Sequence, residues 1–295
     1  MTFSIIDTHQ HLWDLSVLSL PWVNDVPQLN RSFGLWDYAE YTKPDPESEV
    51  NYEIEQTIYM EVDVAASDIQ KETESILDIC RDESNSLSGM IASTRPGTPE
   101  FDSTLEFASS HSEIKGFRRV LHTESTPPKT CLDSEFQSHI RTLAKHNLTF
   151  DLCMRRDELA DVVRLAQSCP ETLFVLDHCG NAEANMTADE FSAWELAIRS
   201  IAKCQNVVCK VSGFVWTIQN SDWSYENDIE PILRVVFESF EEDRLLFGGD
   251  WPVCTLSQLS FSQWVDAIHR FACSYGESTA EKLFQSNAKR VYRLV

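Results

Sequence analysis

Ser4-Ile5-Ile6-Asp7-Thr8-His9-Gln10-His11 opens as an apolar strand and closes on two histidines two residues apart. Side chains alternate along a strand, so His9 and His11 are expected on one face, with Asp7 behind them. Near the other end, Arg244-Leu245-Leu246-Phe247-Gly248-Gly249-Asp250-Trp251-Pro252 repeats the pattern, an apolar strand ending on a reactive group, Asp250. If these are the first and last strands of a closed barrel they are neighbours, and His9, His11 and Asp250 meet at one mouth.

The stretches between them read as alternating strands and helices. Strands are predicted at Thr57–Val62, Leu87–Ala92, Ile114–Leu121, Leu148–Met154, Leu173–His178 and Val207–Ser212. Apolar residues at helical spacing follow each, as in Ile69, Ile76 and Cys80, or Phe191, Trp194, Ile198 and Ile201 behind the capping box Thr187-Ala188-Asp189-Glu190. Short apolar strands buried on both faces, eight in all, indicate an α/β fold, a (β/α)8 TIM barrel spanning residues 1–295 as a single domain. An open doubly wound sheet is the competitor. No G-x-G-x-x-G or phosphate-binding loop supports it. The segment 12–51 interrupts the pattern with Trp13, Trp22, Trp36, Tyr38, Tyr41 and four prolines. It reads either as an irregular lid over the mouth or as a packed connection.

A net charge of -23 argues against nucleic acid and anionic membranes as partners and leaves a small-molecule substrate. Nine cysteines without a C-x-x-C pair read as reduced buried thiols, which favours the cytoplasm. No secretory signal is evident, and no stretch approaches the roughly 20 apolar residues of a spanning helix. An assembly of identical copies is compatible with all of this.

Barrel active sites lie at the C-terminal ends of the strands. The polar groups expected there are His9 and His11, Glu61, Arg118 or Arg119, Asp151, His178, Lys210 with Ser212, and Asp250. Any one has an ordinary explanation: a His-x-His pair at a surface, a satisfied core histidine, a capping aspartate, a lysine paired to Glu61 or Asp151. Together, at the ends of otherwise apolar strands, they point to a shared polar site. Arg118 and Arg119 must split across their strand. His122, just past the fourth strand, is the one other histidine close to that mouth.

Asp7-Thr8-His9-Gln10-His11, Lys115-Gly116-Phe117-Arg118-Arg119, Leu176-Asp177-His178-Cys179-Gly180, Cys209-Lys210-Val211-Ser212-Gly213 and Phe247-Gly248-Gly249-Asp250-Trp251-Pro252 resemble the amidohydrolase superfamily, and within it the lactonase branch. The closing Asn287-Ala288-Lys289-Arg290-Val291-Tyr292 is similar to that group's C-terminus. The resemblance implies a distorted barrel that opens a lactone, a sugar-derived aldonolactone first among them, with water. It implies Asp250 as general base and His178 as its catalytic partner. His9, His11 and Asp250 would hold one divalent metal ion, zinc by preference, unless the mechanism is metal-free. Arg118, Arg119, Glu61, Asp151 and Lys210 would contact substrate. The chain departs from two-metal members in offering Asp151, not a histidine, on the fifth strand. The competing functions are a non-oxidative decarboxylase of the same superfamily and a binding barrel without chemistry.

Overall fold

The computed structural model describes residues 2–294, so the expected end points Met1 and Val295 lie outside the described residues. Eight parallel strands form one sheet in sequence order: β1 (Phe3–Gln10), β2 (Tyr52–Met60), β3 (Leu87–Ser93), β4 (Ile114–Val120), β5 (Thr149–Cys153), β6 (Phe174–Leu176), β7 (Val207–Val211) and β8 (Leu245–Phe247). The last strand returns to the first. Asp250 N–H donates to His9 O and His11 N–H to Trp251 O, each at 2.8 Å. The architecture is a nearly closed (β/α)8 barrel, as predicted. Close approach at the seam requires glycine: a Cβ on Gly249 would lie 2.5 Å from Asp7 Oδ2, and one on Gly248 2.8 Å from His9 Cβ.

Inside the barrel three layers stack. The lowest is apolar: Ile6, Ile58, Ile91, Val175, Val208 and Leu246 pack with Val291 and Tyr292 of the C-terminal helix Asn287–Tyr292, which plugs the bottom. A fully buried ionic layer follows, built from Glu61, Asp151, Asp177 and Lys210 with the nearly buried Arg118. Above it, at the C-terminal rim, stand His9, His11, His178 and Asp250.

Strict alternation from Ile6 would turn His9 and His11 away from the axis. The β1–β2 register shifts between Asp7 and Gln10, and that irregularity changes the phase. The interior of β1 is therefore apolar below and imidazole above. Asp7 faces outward instead, where Tyr38 Oη donates to it at 2.8 Å.

The segment 12–51 contains both expected behaviours. Trp22 and Leu29, on two short 3-10 turns (Pro21–Asp25 and Pro27–Leu29), and Val26 between those turns line a cavity over the barrel mouth. Tyr38, on a helix the sequence reading did not anticipate (Leu35–Tyr41), is buried against Trp251. The nine cysteines are all free thiols. Among the described residues, no helix is long and apolar enough to cross a membrane.

Candidate active site

Each strand delivers its polar group where the apolar run stops. β1 ends in His9 and His11. Past β6 the chain enters a left-handed turn in which His178, Cys179, Gly180 and Asn181 have φ of 54°, 52°, 70° and 52°. That conformation is costly for residues with a Cβ. Hydrogen bonds hold it, from Trp194 Nε1 to Cys179 O (2.8 Å) and from Asn181 Nδ2 to Met154 O (2.7 Å). The turn lets two consecutive residues, Asp177 and His178, both reach the axis. Asp250 follows β8 with φ 56°, which swings its carboxylate over the same axis.

Three imidazoles surround that carboxylate. Asp250 Oδ1 lies 3.6 Å from His9 Nε2, 3.5 Å from His11 Nε2 and 4.0 Å from His178 Nε2. These separations are too long for good hydrogen bonds. His11 Nδ1 lies 2.9 Å from Met60 O, and a carbonyl only accepts, so in the neutral ring the proton is on Nδ1 and Nε2 turns a lone pair toward Asp250. His178 Nδ1 is 3.0 Å from Ser212 Oγ.

Burial, chiefly, with Lys210 and His178 adding to it against the pull of Asp177, holds the His9 imidazole well below its ordinary pKa. Burial likewise lowers His178. Both rings are therefore neutral near pH 7, as metal ligands must be.

Beneath them the ionic layer is internally paired. Arg118 Nε donates to Glu61 Oε1 at 2.6 Å, its Nη2 to Glu61 O at 2.6 Å and its Nη1 to Asp177 Oδ2 at 3.3 Å. Lys210 Nζ lies 2.6 Å from Asp151 Oδ2 and 3.3 Å from Asp177 Oδ1. Burial works against ionisation of Asp177, but the Lys210 ammonium, with Arg118 beside it, outweighs it and holds its carboxyl well below the usual range. Burial pushes Asp151 up to about 6 despite Lys210. Both cations also reach His9, Arg118 Nη1 at Nε2 and Lys210 Nζ at Nδ1, each at 3.5 Å.

A cavity of about 610 Å³ opens above this floor. His11, His178, Asp250 and Arg118 line it. Glu61, Asp151 and Lys210, expected to contact substrate, do not line it: they are wholly buried below its surface. Arg119 is also absent from the lining. It points away from the axis, toward Pro96 O, because its neighbour Arg118 takes the inward position. His9 lies under the surface of the cavity, fully buried.

Two participants escaped the sequence reading. Asp177 stood in plain view beside His178, but alternation allows only one of two neighbours to face inward, and the left-handed turn is not written in any propensity. Cys153, at the end of β5, lines the cavity with Sγ 3.2 Å from His122 Nδ1. A buried thiol carries no pattern that would have singled it out.

The donor set fits a divalent cation. His9 Nε2, His11 Nε2 and Asp250 Oδ1 come together as one cluster of candidate ligands. Ligands at about 2.1 Å in a tetrahedral zinc site stand about 3.4 Å apart, close to the separations seen here. Asp177, 3.5 Å from His9 Nδ1, takes the place of the carboxylate that commonly orients a ligating imidazole. The charge balance agrees: four carboxylates (Glu61, Asp151, Asp177, Asp250) face two cations (Arg118, Lys210), an excess that a divalent ion would cancel.

The amidohydrolase family model matches residues 6–294 of the chain. An L-fucono-1,5-lactonase of Burkholderia multivorans is 27% identical over 98% of this chain and 96% of that protein. An L-rhamnono-gamma-lactonase of Scheffersomyces stipitis is 22% identical over 99% of both. The crystal structure of a Burkholderia multivorans amidohydrolase with bound zinc superposes with a TM-score of 0.83 at 24% identity over 99% of each chain. With its whole barrel matched in sequence, this chain belongs to the amidohydrolase family.

Proposed function

We propose that the protein hydrolyses a lactone with water at the rim of the barrel. The observation that carries this is the meeting of three imidazoles and one carboxylate at a single point on the floor of a cavity. The relatives named for L-fucono-1,5-lactone and L-rhamnono-gamma-lactone support it.

His9, His11 and Asp250 would hold one divalent ion, zinc by the nitrogen-rich donor set. When bound, the ion supplies Lewis-acid polarisation of the lactone carbonyl. The chain's own groups perform the proton transfers. The Asp250 carboxylate accepts a proton from a water below the ring as that water's oxygen bonds to the carbonyl carbon. The carbonyl π pair moves onto oxygen, which the Nε2 side of His178 and the Arg118 guanidinium face. The pair then reforms the carbonyl, the ring C–O bond breaks, and the departing alkoxide takes the proton back from Asp250. The product is an open hydroxy acid. Lys210 and Asp177 take no proton in this sequence; they position His9, and Lys210 adds to the burial that keeps the ring neutral against the pull of Asp177.

The test is a panel of γ- and δ-lactones, aldonolactones among them, followed by acid release with a pH indicator, with and without added zinc. Turnover of a lactone is expected. Failure of every lactone, with release of carbon dioxide from an aromatic acid, would replace hydrolysis by decarboxylation.

A further inference from the structure

The walls of the cavity differ in character from its floor, and they constrain what enters. Every arginine on them is already engaged. Arg118 is held by Glu61 and Asp177. Arg155 meets Glu158 at 3.1 Å and donates to the Thr126 carbonyl at 2.5 Å. Arg156 lies 3.2 Å from Glu183 and 3.1 Å from Glu190. His122 is neutral, since burial pushes it down to about 4. Among the described residues, then, no arginine on the wall away from the reacting carbonyl lacks a carboxylate partner. The wall also carries carboxylates: Glu183, paired with Arg156, Asp63, paired with Arg95 at 3.4 Å, and Asp157.

Other parts of the lining are apolar. Trp22, Val26 and Leu29 come from the 12–51 segment, and Trp216, Val253 and Leu256 from the loops after β7 and β8. Trp22 spends its one polar atom on Val62 O at 2.8 Å, so it offers the cavity only ring carbon. Trp216 remains 40% exposed. A substituent packed here loses water without gaining hydrogen bonds, which favours carbon and penalises hydroxyl. The cavity volume is within the range of sites that enclose molecules far larger than a bare lactone ring.

We propose that the substrate is an uncharged lactone carrying an apolar substituent of several carbons, seated against the Trp22–Leu256 wall. This rests on the lactone-hydrolase reading. Hydrolysis turns that neutral ring into a carboxylate in a cavity whose wall arginines already have carboxylate partners, which favours release of the product. The enzyme accepts a neutral molecule and releases an anion.

The test measures kcat/KM on γ-lactones whose side chain grows from none to eight carbons, on an aldonolactone, and on a matched lactone carboxylic acid and its methyl ester. The expected gain is roughly fourfold per methylene over the first several carbons, from the usual worth of burying one. The ester should outrun the free acid by at least about a hundredfold, because the acid buries an unpaired charge. Leu256→Asn and Val26→Asn, on separate elements, should each flatten the chain-length dependence, with thermal unfolding confirming that both fold. A flat or falling series overturns the proposal. So does an acid as good as its ester, or an aldonolactone faster than the alkyl lactone of equal carbon number. All three leave lactone hydrolysis standing. Turnover of no lactone at all overturns that reading and this one with it.

Discussion

Asp250→Asn removes one charge while leaving the backbone content. Asp250 sits at φ 56°, a left-handed conformation that asparagine tolerates as well as aspartate does. The seam bond at this residue, Asp250 N–H to His9 O, belongs to the main chain and survives. The new amide can turn its NH2 toward the imidazole nitrogens 3.5–4.0 Å away, so the packing has no reason to fail. What disappears is the acceptor for the proton of the attacking water. Loss of a positioned general base costs about 10²- to 10⁴-fold in rate, or about 2.7–5.4 kcal/mol of barrier. Steady-state acid release from the preferred lactone measures this, and circular dichroism melting checks the fold. A variant that melts like the wild type and keeps kcat within about threefold would refute Asp250 as the base, because the barrier change would be under about 1 kcal/mol.

Three further outcomes follow from the buried charges. Lys210→Met should cost about 3–5 kcal/mol in urea unfolding, since it strands Asp151 without its cation and leaves Asp177 only Arg118; Asp151→Asn added to it should recover part of the loss, and no recovery would contradict the pairing. Glu72, fully buried with Tyr59 Oη and Val62 N–H both donating to Oε1 at 2.8 Å, is pushed up to about 8 mainly by burial. Its folded-state pKa exceeds the unfolded value near 4.3, so the folded protein holds the extra proton and stability falls as pH rises between roughly 4.3 and 8, by at most about 1.4 kcal/mol per unit. Glu72→Gln should flatten that slope in chemical denaturation, and parallel curves would sink the assignment. Added zinc should raise the thermal midpoint by the equivalent of a few kcal/mol when in large excess over its dissociation constant, and His11→Asn should abolish the shift; equal shifts in both proteins would place the ion elsewhere.

The sequence by itself determined the barrel and its mouth. Eight apolar runs separated by helical spacing leave few topologies, and closing them must set residue 250 beside residues 9 and 11. It also located His178, because a polar residue ending a buried strand has nowhere else to go. It could not say which of the many charged strand ends touch substrate. Lys210, Asp151 and Glu61 share the periodicity of cavity residues, yet they pair with one another below the surface, and pairing depends on distances across the barrel that no local pattern encodes. The phase of β1 and the left-handed turn at His178–Asn181 were equally hidden. Each is a local conformation imposed by neighbours far away in the chain: a shifted register against β2, and hydrogen bonds to Met154 and from Trp194. The neutralised arginines and the apolar wall, which decide what the cavity admits, exist only once seven separate segments have folded against each other. Composition names the charges, but only the tertiary structure decides which of them remain free.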